Sequence, residues 1–207
     1  MTYRFILVLF FSLPVFSQNI SEECGTSFDQ NFYDLKTQKL DDFNHFLNEY
    51  YEKRQQKSST AVTDIPVRVN ILQTTGGNTA VTENDVINRI NDANEEFADS
   101  FMSFYICDGI NYITDNALYN YNYSEQEQLL QYNQENIMNI YFMNSITTNS
   151  GGGICGFTYF PQGFSSNSDV LVMSANCSGN LYNTFTHELG HHYGAEHTHG
   201  PVNGILT

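Results

Sequence analysis

Five of the chain's six histidines fall between His187 and His199, in the stretch HELGHHYGAEHTHG. His187 and His191 are four residues apart, so on a helix their imidazoles leave one face, one turn above the other, and can share a metal ion. Glu188 follows the first histidine and stands to the side of that face, where a carboxylate can reach a water without ligating the metal. Three residues after His191, Gly194 can take the left-handed conformation that ends a helix sharply. The chain can then turn back and let His197 supply a third nitrogen. The whole reads H-E-x-x-H-x-x-G-x-x-H without a mismatch. A shuffled chain of this composition would match about 2 times in 100,000, which leaves an adventitious His-rich tract as the bland alternative. His192 and His199 lie outside the pattern. His192 points away from the face of His187 and His191, and neither is assigned a role.

Three neutral imidazoles leave a fourth tetrahedral position open, as catalytic zinc requires, so zinc is the metal this donor set favours. Zinc lowers the pKa of a bound water to about 7 and polarises a carbonyl. Glu188 would take the proton of the attacking water and pass it to the leaving amine. The reaction class is metal-assisted hydrolysis of a protein or peptide substrate. Two readings compete with it: a non-catalytic zinc-stabilised or peptide-binding module, in which Glu188 has no purpose, and an inactive fragment of a longer protease.

The elements that must position these groups follow from periodicity. IPVRVNILQ, from Ile65, reads as a strand. Thr82 opens a long helix through TENDVINRINDANEEFAD, with Val86, Ile90 and Phe97 on one face and a capping-box pattern between Thr82 and Asp85. Four further strands are predicted, at Phe101 to Cys107, Ile137 to Asn144, Gly156 to Phe160 and Val170 to Ala175, with the Tyr/Asn-rich stretch from Asn111 to Tyr123 and the turn-rich TTNSGGG between them. A final helix from about Leu181 to Gly194 carries the histidines. The order predicts an α/β fold whose two long helices cover one face of a twisted sheet.

With 207 residues, 41% of them hydrophobic, the chain can bury one sizeable core. A formal charge of −15 argues against nucleic acid, where Lys and Arg must dominate. The opening MTYRFILVLFFSLPVFSQ has the layout of a secretory signal peptide, with cleavage expected after Ser17; its apolar run is too short to span a bilayer. The expected organisation is therefore a signal peptide at 1–17, a polar prosegment at 18–64, and a catalytic domain at 65–207 in a secreted protein free of the membrane. Within the prosegment, Phe43, Phe46, Leu47 and Tyr50 recur at helical spacing, predicting a helix around 37–54. The basic, loosely patterned stretch at Lys53, Arg54 and Lys57 suits an activation cleavage. Asn122 and Asn176 head N-x-S sequons, relevant only in a host that glycosylates exported proteins.

The extended histidine motif resembles that of the metzincin zinc endopeptidases. Together with GICGFTYFPQGFSSNSDVLVMSANCSGNLYNTF before it, NIYFMNSI, and IPVRVNILQ further upstream, it is similar to the pappalysin-like, ulilysin-related bacterial secreted branch, over residues 65–200. The resemblance implies zinc on His187, His191 and His197, with Glu188 as general base. It implies a metzincin-like twisted mixed sheet with two long helices, the second bearing the zinc motif. The sheet's edge strand, here near Gly156 to Phe160, would border the cleft and pair with extended substrate. Calcium is suggested by the family but has no placeable site. The family also continues past the motif to a methionine-containing turn and a C-terminal subdomain that builds the specificity pocket. No methionine follows His197 before Thr207, so the sequence is expected to be a fragment of a longer protein or a minimal form.

The four cysteines, Cys24, Cys107, Cys155 and Cys177, allow three full pairings. Cys155 and Cys177 flank two neighbouring predicted strands, which favours that bridge and leaves Cys107 unexplained. Family zymogens can be held latent by a prosegment cysteine on the zinc, and CGT at Cys24 to Thr26 looks like such an element, a thiolate being a strong zinc ligand; a disulfide is the alternative role for Cys24. On the latency reading, Cys24→Ala makes the unprocessed protein active in a peptide-cleavage assay, and a variant as silent as the parent counts against it.

Overall fold

The computed structural model describes residues 61–159, 169–175, 177, 181–195 and 197; Cys24, the helix expected around 37–54, the activation stretch, and the signal-peptide and prosegment boundaries lie outside the described residues. Its centre is a five-stranded sheet built from β1 (Thr63–Gln73), β2 (Met102–Thr114), β4 (Met138–Met143), β7 (Gly156–Thr158) and β8 (Val170–Ser174), in the order β2-β1-β4-β8-β7. β2, β1, β4 and β8 run parallel to their neighbours, whereas β7 lies antiparallel to β8 at the edge. A smaller sheet in the order β3-β5-β6 joins β3 (Asn120–Asn122), β5 (Ser145–Thr147) and β6 (Gly153–Ile154).

Strand alternation assigns each face its own cover. Val67, Val69 and Ile71 of β1, Ile140 and Phe142 of β4, and Leu171 and Met173 of β8 point to one side. There they meet Val86, Ile90 and Ala93 of α1 (Glu83–Glu96) and Phe185 and Leu189 of α4 (Leu181–His192), all buried. Each large side chain so buried contributes about 1.5–3 kcal/mol. The two long helices thus share one face of the sheet, as the element order predicts. Leu72, Tyr141, Met143 and Val172 point to the other side, where Leu118 of α2 (Asn116–Tyr119), Leu129 of α3 (Gln126–Leu130), Tyr121, Ile146 and Ile154 cover them. The second core is more polar at its margin: Asn70, wholly buried, accepts from Asn111 Nδ2 at 2.9 Å, and Asn139 holds the turn before β4 through Gln134 and Ile137.

Helix α1 begins where the sequence places it, with Thr82 and Asp85 bonding each other's backbone reciprocally. Hydrogen bonding to Thr82 also holds the Asp85 carboxyl below its ordinary value. β2 departs from expectation. It runs to Thr114 rather than ending at Cys107, so Asn111–Thr114 is strand and not connecting loop. Val67 pairs with Ile106 and Val69 with Ile110, so β2 uses four residues where β1 uses two. The surplus is a bulge at Asp108 (φ 60°) and Gly109 (φ 77°), which interrupts the alternation that marks a strand in sequence.

β2 is also an edge, and its exposed backbone is answered by a side chain. Asn94 of α1 accepts from Phe104 N at 2.6 Å and donates Nδ2 to Phe104 O at 3.0 Å, taking the place of a neighbouring strand. Asn94→Ala is expected to lower unfolding stability by about 1–3 kcal/mol, read as a fall in the urea midpoint at constant slope.

Candidate functional site

α4 presents different chemistry on different sides because its residues advance by 3.6 per turn. Phe185 and Leu189, four apart, are fully buried, with Phe185 stacked on Phe142 at a ring separation of 6.2 Å. Glu188 is turned inward too and has no exposed surface. His187 is exposed and His191 buried, and their rings meet edge to face at 4.3 Å. At its far end the helix is fixed by Tyr193, whose ring contacts Phe97 just past α1 and Phe104 of β2.

The helix then stops abruptly. Gly194 has φ 89°, Gly194 N donates to His191 O at 2.9 Å, and Ala195 N donates to Gly190 O at 2.8 Å. This pair of bonds is the Schellman arrangement, and it reverses the chain so that His197 faces the two helical histidines. The three Nε2 atoms stand 2.9 Å (His187 to His191), 3.1 Å (His187 to His197) and 3.0 Å (His191 to His197) apart. Nitrogens bound tetrahedrally to one zinc at about 2.0–2.1 Å are roughly 3.3 Å apart, so the spacing fits a shared ion to within a few tenths of an ångström. Among the described residues this is the one group of three or more His, Cys, Asp or Glu side chains placed to hold a metal.

The turn also sets the chemistry of the donors. Ala195 O can only accept, so His191 Nδ1, 2.6 Å away, carries the proton and Nε2 keeps its lone pair for a metal. Burial holds the His191 imidazole below the ordinary histidine value, and the Ala195 bond opposes this only in part, which favours the neutral, ligating form.

β7 lies at the sheet edge beside this helix, where the strand expected to border the cleft was placed. Cys155, just before β7, is disulfide-bonded to Cys177, in the segment between β8 and α4, as the sequence favoured, and Cys107 is a free, half-buried thiol. Two contacts here were not legible in the sequence. Gly156 backs directly onto Glu188, and Thr158 faces His192 Nδ1 at 3.3 Å while donating its hydroxyl to Val170 O at 2.7 Å. His192 does point away from the metal-facing side, and burial lowers its pKa too. It borders a cleft of about 350 Å³ with Ile65, Met138, Asp169 and Tyr193, which none of the three clustered histidines lines. Helical spacing could place His192 off the metal face, but its partner comes from a strand distant in sequence.

The sequence pattern of the M12B reprolysin-like metallopeptidases matches residues 80–198, more than half of the chain. The chain belongs to this family. Its fold is that of metzincin-type peptidases. Promirolysin from Tannerella forsythia, in a mutant form, superposes with a TM-score of 0.51 at 18% identity, covering 76% of this chain and 62% of its own. Metalloproteinase-II from Bacteroides fragilis gives a TM-score of 0.44 at 18% identity, covering 66% of this chain and 44% of its own. The chain therefore spans less than two thirds of the length of either structure. Among curated proteins none matches it significantly. Family membership agrees with a histidine group able to bind zinc, and among the described residues no helix is long and apolar enough to cross a membrane.

Because the turn at Gly194 both aims His197 and presents the Ala195 carbonyl to His191, Gly194→Ala strains the backbone at a positive φ and disturbs two of the clustered histidines together. It is expected to weaken zinc binding by about ten- to a hundredfold, measured by competition with a chromophoric chelator.

Proposed function

We propose that the chain is the catalytic part of a secreted zinc endopeptidase, with His187, His191 and His197 as the metal ligands and Glu188 as the general base. The observation that carries this is the convergence of three Nε2 atoms within 3.1 Å, two of them from a helix that also carries Glu188 buried beside β7 and the third from the segment after its terminal turn. The donor set fits zinc: three imidazoles, one of them locked by Ala195 O in the ligating tautomer. When bound, zinc supplies the Lewis acidity that activates a water and polarises the scissile carbonyl.

The chain's own residues supply the rest. Glu188 takes the proton of the attacking water and delivers it to the departing amine, and its burial against the sheet keeps the carboxylate from wandering into solvent. β7 offers the outer edge of its backbone to an extended peptide, which would add to the sheet as a further strand. The disulfide from Cys155 to Cys177 ties that edge to the segment leading into α4 and so limits how far the cleft can open. Within the metzincin type, the likeness of the stretches around β1, β4 and β7 to α4 favours the pappalysin-like, ulilysin-related branch. On the same reading residues 1–17 are a signal peptide and 18–64 a prosegment with Cys24 as its latency residue.

The deciding experiment compares peptide hydrolysis by the full-length native protein with that of Glu188→Ala. The expected result is a loss of about a hundred- to ten-thousandfold in kcat with zinc content unchanged, and abolition by a chelator that added zinc reverses. Equal rates in the two proteins end the proposal and leave the zinc-stabilised, non-catalytic module.

A further inference from the structure

Gly156, the first residue of β7, is a glycine for reasons of space. It is not among the described residues with positive φ, so its backbone conformation is one that any residue adopts. A Cβ added there would stand 2.9 Å from Met173 Sδ, 3.1 Å from Glu188 Cγ and 3.1 Å from Val172 O. Separations this short are ones that packed carbon atoms avoid, so something would have to yield.

The three neighbours cannot yield equally. Val172 O belongs to β8, held against β7 by the antiparallel pairing of Gly156 with Met173 and Phe157 with Val172. β7 itself cannot retreat readily: Cys155 O accepts from Ser174 N at 2.8 Å, Cys155 is bridged to Cys177, and Thr158 is bonded to Val170 O. The groups left to move are the end of Met173 and the Glu188 side chain. Glu188 Cγ is one bond from the carboxyl carbon, so displacing it re-aims the carboxylate.

We propose that Gly156 is the positioning residue for Glu188: its bare backbone forms the wall that fixes where the glutamate side chain lies, and any side chain at 156 turns the carboxylate away from the water it must deprotonate. This rests on the reading of Glu188 as general base. Misplacement by a fraction of an ångström to an ångström at a reacting group lowers the rate without needing to alter substrate or metal affinity.

The test uses the full-length native protein and three variants: Gly156→Ala, Met173→Val and the two combined. Met173→Val removes the sulfur that an added methyl would strike and leaves the contact with Glu188. In Gly156→Ala, kcat is expected to fall by about ten- to a hundredfold while KM and bound zinc per chain stay at parental values. The combined variant should regain part of the thermal stability that Gly156→Ala loses, the contact with Val172 O remaining, yet keep a kcat at least about tenfold below that of Met173→Val, a split that a packing role alone would not produce. Should Gly156→Ala fail to fold, the comparison of the combined variant with Met173→Val carries the same test. A kcat in Gly156→Ala equal to the parent's, or a kcat that recovers together with stability in the combined variant, overturns the proposal. Parental hydrolysis that survives Glu188→Gln instead overturns the reading of Glu188 itself, an outcome separate from any behaviour of residue 156.

Discussion

Three imidazole nitrogens held about 3 Å apart would repel one another through their lone pairs unless a proton or a cation lies between them, so the surrounding structure must hold them there. The local agent is the end of α4. Phe185 and Leu189 anchor the helix in the sheet core, Tyr193 pins its last turn against Phe97 and Phe104, and the reversal at Gly194 brings His197 back over His187 and His191. The same reversal places Ala195 O against His191 Nδ1, so one backbone feature fixes both the third donor and the tautomer of the second.

Placement of α4 depends in turn on the sheet. Its parallel strands β2, β1, β4 and β8 are covered on both faces, one by the two long helices and the other by a layer of short helices and a three-stranded sheet. That double cover explains why β4 and β8 are buried at every position. It also explains the asparagines: on that face Asn70 is bonded to the neighbouring strands through Ile140 O of β4 and Asn111 of β2, and Asn139 to Gln134 and Ile137 in the segment before β4.

Where the helix meets the sheet edge, rigidity is concentrated in a few residues. Within four residues of β7 and its approach there is a disulfide to the segment before α4, a glycine against Glu188, and a threonine between Val170 O and His192. An edge strand is ordinarily the most deformable part of a sheet, and here it is tied at successive positions to the helix that carries the histidines. On the proposed function, a general base and a peptide-binding edge would act on the same bond, so their relative placement would have to be tight.

The sequence by itself determined which histidines come together at the candidate site. Spacing of four residues on a helix puts His187 and His191 on one face, and a glycine at 194 permits the reversal that recruits His197, because these are properties of local backbone geometry. It also placed β1, β4, β8 and the capping box at Thr82, and it favoured, among three possible pairings, the bridge of Cys155 to Cys177. It did not reveal the continuation of β2 past Cys107, because the bulge at Asp108 and Gly109 breaks the period of two that identifies a strand. It missed the small second sheet, whose strands of two or three residues are too short to carry any periodicity. Only tertiary structure decided that Gly156 lies against Glu188, that Thr158 meets His192, and that Asn94 completes the edge of β2. Each of these contacts joins segments brought together by the long-range pairing and packing of the sheet, and no local pattern in the chain encodes which residue will arrive opposite another.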